Sequence, residues 1–122
     1  MTRDMELIRA LLLKVEALDL PQGTTAFFNP TDPHLQVDGY TPDQVAYNLD
    51  LLFQAGYVKG QLGMTDFGIA GLTWSGHEFL DAVRDPDVWR KTKDRARGVA
   101  SIGLGLVWEI AKAEIKVKLG LP

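Results

Sequence analysis

The chain has 122 residues with 46% hydrophobic content, no cysteine and a net charge of −3. This length builds one core of ordinary size and leaves too little for a second independent domain, while the lack of cysteine excludes disulfide frameworks and thiolate metal sites. Acidic residues near the N-terminus exclude a typical signal peptide, and no apolar run approaches the roughly 18 residues of a membrane span, so we expect a soluble, cytoplasmic protein without a membrane partner.

The charges are divided along the chain. Residues 1–83 contain four basic and eleven acidic residues, a balance of −7, whereas residues 84–122 contain nine basic and five acidic residues, a balance of +4. Any attraction to nucleic acid must therefore come from the C-terminal third. The alternative is that the two halves neutralise each other within the fold or across a dimer.

The first helix is predicted by apolar residues that recur at helical spacing until about Leu18. Thr2 is the predicted N-cap, and the acids Asp4 and Glu6 suit the positive end of the helix dipole. The apolar stripe consists of Met5, Ile8, Leu11, Leu12, Val15 and Leu18. We interpret this helix as core scaffold.

Between residues 19 and 40 the helical pattern stops, because prolines and turn-forming residues interrupt it. Phe27 and Phe28 are expected to anchor this loop to the core. The alternation of Leu35, Gln36 and Val37 predicts a short strand. No helix is therefore predicted between the first helix and residue 40.

The second helix is predicted to begin with Thr41 as N-cap and Pro42 at its first position, and to end at Gly56. A hairpin follows, with strands at 57–62 and 69–74 and a glycine-bracketed connection at 63–68. A helix that leads directly into a hairpin is typical of a winged helix. A DNA-binding winged helix normally has another helix before this one and a basic residue at the tip of the hairpin. Here the preceding residues predict turns and a short strand, and the tip offers only Asp66, so the chain departs from that pattern. The third helix is predicted to start with a capping box at Ser75, or with Thr73 as the alternative cap.

The outer face of the second helix is the first candidate contact surface. Its candidate partner-binding residues are Gln44, Tyr47, Asn48 and Leu51. Gln44 and Asn48 lie one turn apart and are residue types that can read adenine in a major groove. Asp43 and Asp50 would repel phosphates on the same face, which argues against that reading. The tyrosine and the leucine, exposed together, favour a protein contact.

The chain resembles an uncharacterised bacterial and phage family that is known as a domain of unknown function and is similar to winged-helix proteins. The resemblance rests on the string Leu-Thr-Trp-Ser-Gly-His-Glu-Phe-Leu-Asp at 72–81, together with matching residues at 3–9, 39–41, 45–49, 55–57 and 84–85 and with Trp89. It spans roughly residues 2–95. It implies a winged-helix-like fold and a bacterial or mobile-element setting, and it implies no catalytic residues.

A dense basic stretch begins a few residues after Asp85 and Pro86, which are predicted to start a fourth helix. The candidate nucleic-acid or partner contacts in it are Arg90, Lys91, Lys93, Arg95 and Arg97. They suit phosphates or an acidic protein surface. A solvated helix face is the alternative, and Trp89 is the expected core anchor.

The tail from 99 to 119 is amphipathic, with apolar residues on too broad an arc for a lone surface helix. Either this helix folds back across the domain or it pairs with a second copy. The candidate dimerisation residues are Ile102, Leu106, Trp108, Ile110 and Ile115.

Catalytic signals are weak. His77 and Asp81 lie four apart on one helix without a nearby nucleophile, which favours a structural pair, and we expect no enzyme activity, cofactor or metal.

The sequence thus predicts an α+β, mostly helical protein: a winged-helix-like domain with a small antiparallel sheet at 1–97, and a C-terminal amphipathic helix at 98–122 for packing or dimerisation. We expect a non-catalytic protein-binding module, associated with a phage or mobile element, that modulates a host or phage protein, with a DNA-binding regulator as the alternative.

Overall fold

The computed structural model describes residues 1–99 and 102–122. Within these ranges the chain is α+β, with five helices and one small antiparallel sheet, as the sequence predicts. The elements in chain order are α1 Met5–Ala17, β1 Ala26–Phe28, α2 Pro42–Gln54, β2 Val58–Leu62, β3 Phe67–Leu72, α3 Trp74–Val83, α4 Pro86–Ala96 and α5 Leu104–Leu119. The described residues form two compact units, Met1–His77 and Glu78–Pro122.

Helix α1 forms because an acid caps it and an apolar stripe follows. The Asp4 carboxylate accepts a hydrogen bond from the Leu7 amide, so Asp4 is the N-cap and the prediction of Thr2 was wrong. A carboxylate also suits the positive helix end better than a hydroxyl does. The stripe packs against α2 and β3. Its buried members are Leu7, Ile8, Leu11, Leu12 and Val15.

The sheet has the strand order β1-β3-β2, and both pairs are antiparallel. Phe67 of β3 pairs with Phe28 on one side and with Leu62 on the other. Phe67 and Ile69 are fully buried and direct this face of the sheet toward the core. The predicted hairpin is therefore present, although β3 begins two residues before the predicted strand.

The strand predicted at 35–37 does not form, and β1 lies earlier in the loop. Turn chemistry prevails there, because the Asp32 carboxylate accepts the His34 amide and the Gln36 side chain donates to the Pro30 carbonyl. Leu35 is nevertheless buried. Phe27, which was expected to anchor the loop, is 66% exposed on β1.

Helix α2 has the predicted ends. The Thr41 hydroxyl and the Gln44 side chain form a reciprocal capping box, and Pro42 occupies the first turn. Gly56 adopts a φ of 78°, the left-handed conformation that stops a helix, and the Tyr57 amide then donates to the Leu52 carbonyl.

Thr73 joins the end of β3 to the start of α3. Its amide donates to the Tyr57 carbonyl, its hydroxyl donates to the Gly56 carbonyl, and the same hydroxyl accepts the Gly76 amide. Thr73 is thus the cap, the second of the two predicted alternatives. Gly76 lies against the Tyr57 carbonyl, where a side chain would collide with the backbone.

In the unit Glu78–Pro122, α4 and α5 pack together. The Asp85 carboxylate caps α4 by accepting the amides of Asp87 and Val88, as predicted. Trp89 is buried and so is the predicted core anchor of α4. Helix α5 begins at Leu104 rather than near residue 99. Residues 100 and 101 of the predicted tail helix lie outside the described ranges.

The contact at Gly76 gives the first testable prediction. Replacing Gly76 with alanine should destabilise the fold by about 1–3 kcal/mol, because the methyl group meets backbone that cannot move aside cheaply. Gly105 has open space around it and is the second residue of α5, so Gly105→Ala should instead stabilise, by up to about 0.5–1 kcal/mol. Urea unfolding followed by circular dichroism compares the two. Equal effects of the two substitutions would contradict the steric argument.

Candidate functional site

The outer side of α2 forms an acidic face. Asp43, Tyr47, Asp50 and Gln54 are spaced by four, three and four residues, which places them on one side of the helix. Tyr47 is 40% exposed, and the Gln54 side chain donates to the Asp50 carboxylate at 2.9 Å. No lysine or arginine lies within α2. Leu51 is half-buried beside this face.

Asn48 does not belong to that face, and the expectation that it is exposed was wrong. Its side chain is 1% exposed. The amide oxygen accepts the backbone N–H of Asp4 at 2.9 Å, and the amide nitrogen donates to the carbonyls of Thr2 at 3.3 Å and Gln44 at 3.0 Å. Both the oxygen and the nitrogen of the Asn48 side chain therefore have hydrogen-bond partners within the protein, as a buried amide requires.

Asp4, whose backbone amide binds Asn48, also contacts a tyrosine through its carboxylate. The Tyr40 hydroxyl donates to the Asp4 carboxylate at 3.1 Å. Burial raises the pKa of Tyr40, and the bond to the carboxylate raises it further. Gln44 is tied as well, because its side-chain oxygen accepts the Thr41 amide in the capping box. Of the four α2 candidates, Tyr47 and Leu51 therefore carry the accessible apolar surface.

The basic residues at the start of α4 share acids on their own helix. Arg90 contacts Asp87 at 2.7 Å and Asp94 at 3.9 Å, and Lys91 contacts Asp87 at 3.3 Å. Hydrogen bonds hold the pKa of the Asp87 carboxyl below its usual range; the bond from Arg90 has the larger effect and the bond from Lys91 the smaller one. These spacings of three and four are the ion-pair spacings of a solvated helix.

The remaining candidate cations of α4 also have partners. Arg97 contacts Asp94 at 3.0 Å, and Arg95 reaches Glu114 of α5 at 3.2 Å. The Lys93 ammonium lies 5.8 Å from the centre of the Trp89 ring. The five candidates thus share one stretch of chain but form ion pairs and a ring contact within this unit. Exposed pairs of this kind are weak, so their effect is to offset the positive charge of this stretch rather than to lock the cations in place.

The structure adds an ion pair that sequence reasoning missed. The Lys118 ammonium, near the end of α5, lies 2.8 Å from the Asp85 carboxylate that caps α4. This hydrogen bond and those from the Val88 and Asp87 amides hold the pKa of Asp85 below its usual range, while the pKa of Lys118 is raised. The two residues lie 33 positions apart, so no local spacing reveals the pair.

The candidate dimerisation residues of α5 lie on two sides of the helix. Trp108 packs edge-on against Phe79, with ring centres 6.5 Å apart, and Ile115 lines a cavity of about 280 Å³ with Val88. By contrast, Leu106 is 51% exposed. Ile110 and Ile102 are half-buried. The five residues therefore do not form one contact surface.

A cavity of about 550 Å³ lies in the unit Met1–His77. It is open and polar, and its walls include the exposed side chains of Glu16, Asp19, Lys59 and His77. Within residues 1–99 and 102–122, no group of three or more histidine and acidic side chains is placed to hold a metal ion. None of the helices in these ranges is long and apolar enough to cross a membrane.

Removing the buried amide of Asn48 should weaken the fold. We expect Asn48→Ala to cost about 1–3 kcal/mol, because the Asp4 amide loses its acceptor in a partly buried place. Gln54→Ala on the exposed side of the same helix is the matched control and should change stability little. The measurement is the urea midpoint of each variant. A midpoint for Asn48→Ala that equals that of the control would show that water replaces the amide.

The Asp85–Lys118 pair should make stability depend on pH. Because the pKa of Asp85 is lowered by folding, its contribution is present above the unfolded pKa and disappears as pH falls through the folded one. Lys118→Met should therefore reduce the loss of thermal stability below about pH 4. Lys59→Met, which removes an exposed lysine of the other unit, is the control. Identical pH profiles for wild type and Lys118→Met would contradict this contribution.

Comparison with known proteins gives a family and no activity. The family model "Hypothetical protein (DUF2513)" matches residues 2–103. An uncharacterised protein of Haemophilus influenzae is 28% identical over 98% of this chain and 99% of its own length. No solved structure matches the chain. The family match covers most of the sequence, and the chain therefore belongs to the DUF2513 family, whose function is unknown.

Proposed function

We propose that this chain is a non-catalytic protein-binding module on a winged-helix-like core, and that the acidic face of α2 is its partner contact. The order of elements supports the core. Helix α2 leads directly into the β2–β3 hairpin, and β1 joins β3 to complete a three-stranded sheet. In a DNA-binding winged helix the helix before the hairpin reads the groove. Here turns occupy the region before α2 where a supporting helix is usual.

The composition of the acidic face carries the proposal. Asp43 and Asp50 flank the exposed ring of Tyr47 on a helix without lysine or arginine. Phosphate attraction supplies most of the affinity of proteins for nucleic acid, and two carboxylates on the contact helix oppose it. Tyrosine, by contrast, is enriched at protein interfaces, where its ring buries area and its hydroxyl finds a hydrogen bond. The face therefore fits a partner that presents cationic and apolar side chains.

The wider charge of this unit favours the same kind of partner. Residues 1–77 contain nine acidic and four basic residues. An excess of acid attracts a basic protein surface over a distance of about one Debye length and raises its rate of encounter. Trp74, at the start of α3, is 81% exposed and adds a second aromatic side chain to the surface of the unit. Exposed aromatic residues favour protein contacts over phosphate contacts.

The DNA-binding alternative has less support. Asn48, one of its two base-reading candidates, is buried, and the other, Gln44, caps its own helix. The basic residues of α4 are engaged with acids and a tryptophan in their own unit. To bind DNA, a dimer would have to direct these basic residues toward phosphates although they already contact acids and a tryptophan.

The biological setting is part of the proposal. A small binding module of a mobile element or phage would modulate a host or phage protein by covering a basic surface of it. The resemblance of the 72–81 string to bacterial and phage sequences supports this setting. The acidic face supports the mode of action, because it offers binding chemistry without a catalytic group.

Site-specific photocrosslinking tests the proposal. A benzoylphenylalanine at Tyr47 should crosslink a protein partner in cells of the source organism, whereas the same group at Gln22, exposed elsewhere on the unit, should not. With the purified partner, Asp43→Lys/Asp50→Lys should weaken binding at least about tenfold. Asp38→Lys is the control for charge. Equal binding of all variants would refute the acidic face as the contact.

Fluorescence anisotropy with random duplexes tests the alternative. Micromolar protein should show no salt-sensitive binding, because no array of uncompensated cations faces outward on α2 or α4. Binding that weakens steeply with salt, and that loses this dependence in an Arg90→Ala/Lys93→Ala/Arg97→Ala variant, would establish the DNA-binding reading instead.

A further inference from the structure

Helix α5 carries an apolar stripe on a side that is not its packing side. Leu106, Ile110, Ala113 and Val117 are spaced by four, three and four residues, so they follow one face of the helix over about 16 Å. We call these four residues the outer stripe. The buried residues of α5 lie on a different side of the helix; they are Leu104, Val107 and Ala111.

The outer stripe is open to solvent. Leu106 is 51% exposed and Val117 is 68% exposed, while Ile110 and Ala113 between them are half-buried. Single exposed apolar residues are ordinary on protein surfaces. Four of them in register over three turns form instead the kind of seam along which two helices pack.

Charges along one edge of the stripe suggest what covers it. Glu109 and Lys116 are seven residues apart, so they lie on the same edge, two turns from each other. Lys112, between them, contacts Glu109 at 2.8 Å. This edge is therefore negative toward the start of the helix and positive toward its end.

This charged edge is complementary to the same edge of a second helix that runs antiparallel to it. In an antiparallel pairing centred between Ile110 and Ala113, Leu106 contacts Val117 of the other helix. The twofold symmetry then gives two equivalent ion pairs, each between Glu109 of one helix and Lys116 of the other. A parallel pairing would instead set Glu109 against the edge that carries Glu114, which places like charges together. The pattern thus selects one orientation of an identical helix.

We propose that the outer stripe of α5 binds the same stripe of a second copy of this chain, antiparallel and about a twofold axis. The contact is isologous, because each copy contributes the same patch. One helix per copy buries less than the roughly 1,600 Å² of a standard interface, so the dissociation constant should be micromolar or weaker. This pairing does not depend on the partner contact proposed for α2.

A lipid surface fits the stripe less well. Helices that lie on membranes place tryptophan or phenylalanine on the inserted side and lysine or arginine beside it. Here Trp108 packs against Phe79 and lies 4.8 Å from the Lys112 ammonium, away from the outer stripe. The edge of the stripe also carries Glu109 among its lysines. Acids at that position repel anionic lipid.

Sedimentation velocity of the full chain, from micromolar to millimolar concentration, tests the proposal. We expect a reversible monomer–dimer equilibrium. Leu106→Glu should weaken it at least about a hundredfold, since it buries a carboxylate at the apolar seam. Met64→Glu makes the same kind of change at a fully exposed residue of the other unit and should leave the equilibrium unchanged. A monomer at all concentrations would overturn the proposal.

Charge reversal tests the antiparallel register. Glu109→Lys and Lys116→Glu, each alone, should weaken association about tenfold at low salt, because each creates two like-charge contacts per dimer. The double variant should restore it. Dimerisation without this rescue would reject the register, and binding of wild type to phosphatidylserine vesicles that Leu106→Glu abolishes would assign the stripe to lipid instead.

Discussion

The amide of Asn48 fixes the geometry on which the unit Met1–His77 depends. It holds the backbone before α1 to the middle of α2, and so joins two elements that are 44 residues apart along the chain. Because successive helix residues differ by about 100° in direction, an inward Asn48 turns Tyr47 and the flanking carboxylates outward. One buried side chain therefore sets both the packing of α2 against α1 and the character of the surface it offers to partners.

The features that could be predicted from sequence are those controlled by neighbouring residues. The ends of α2 follow from a threonine–proline start and a left-handed glycine, and the start of α4 follows from an aspartate–proline pair. The strand β1 follows no such local rule. Its three residues become a strand because β3 is beside them, and the alternating residues at 35–37 become turns because Asp32 and Gln36 bind nearby backbone.

The same distinction between contacts of neighbouring residues and contacts of distant residues applies to the candidate sites. The ion pairs that occupy Arg90 and Lys91 use acids three or four positions away, and helical spacing makes them visible in the sequence. The pairs Arg95–Glu114 and Asp85–Lys118 join different helices, so only the packing of α4 against α5 reveals them. The prediction that Asn48 is exposed was wrong for a related reason. Nothing in the spacing of α2 shows that the backbone before α1 covers this polar residue.

The contact between Asn48 and the start of the chain also shapes how the sequence can vary. Asn48 donates to the carbonyl of Thr2, which every residue supplies, and accepts the amide of Asp4, which every residue except proline supplies. Residue 2 is therefore free to change identity, whereas the number of residues that separate it from α1 is fixed. Related sequences should therefore vary in this short segment by substitution and keep the number of residues between position 2 and α1.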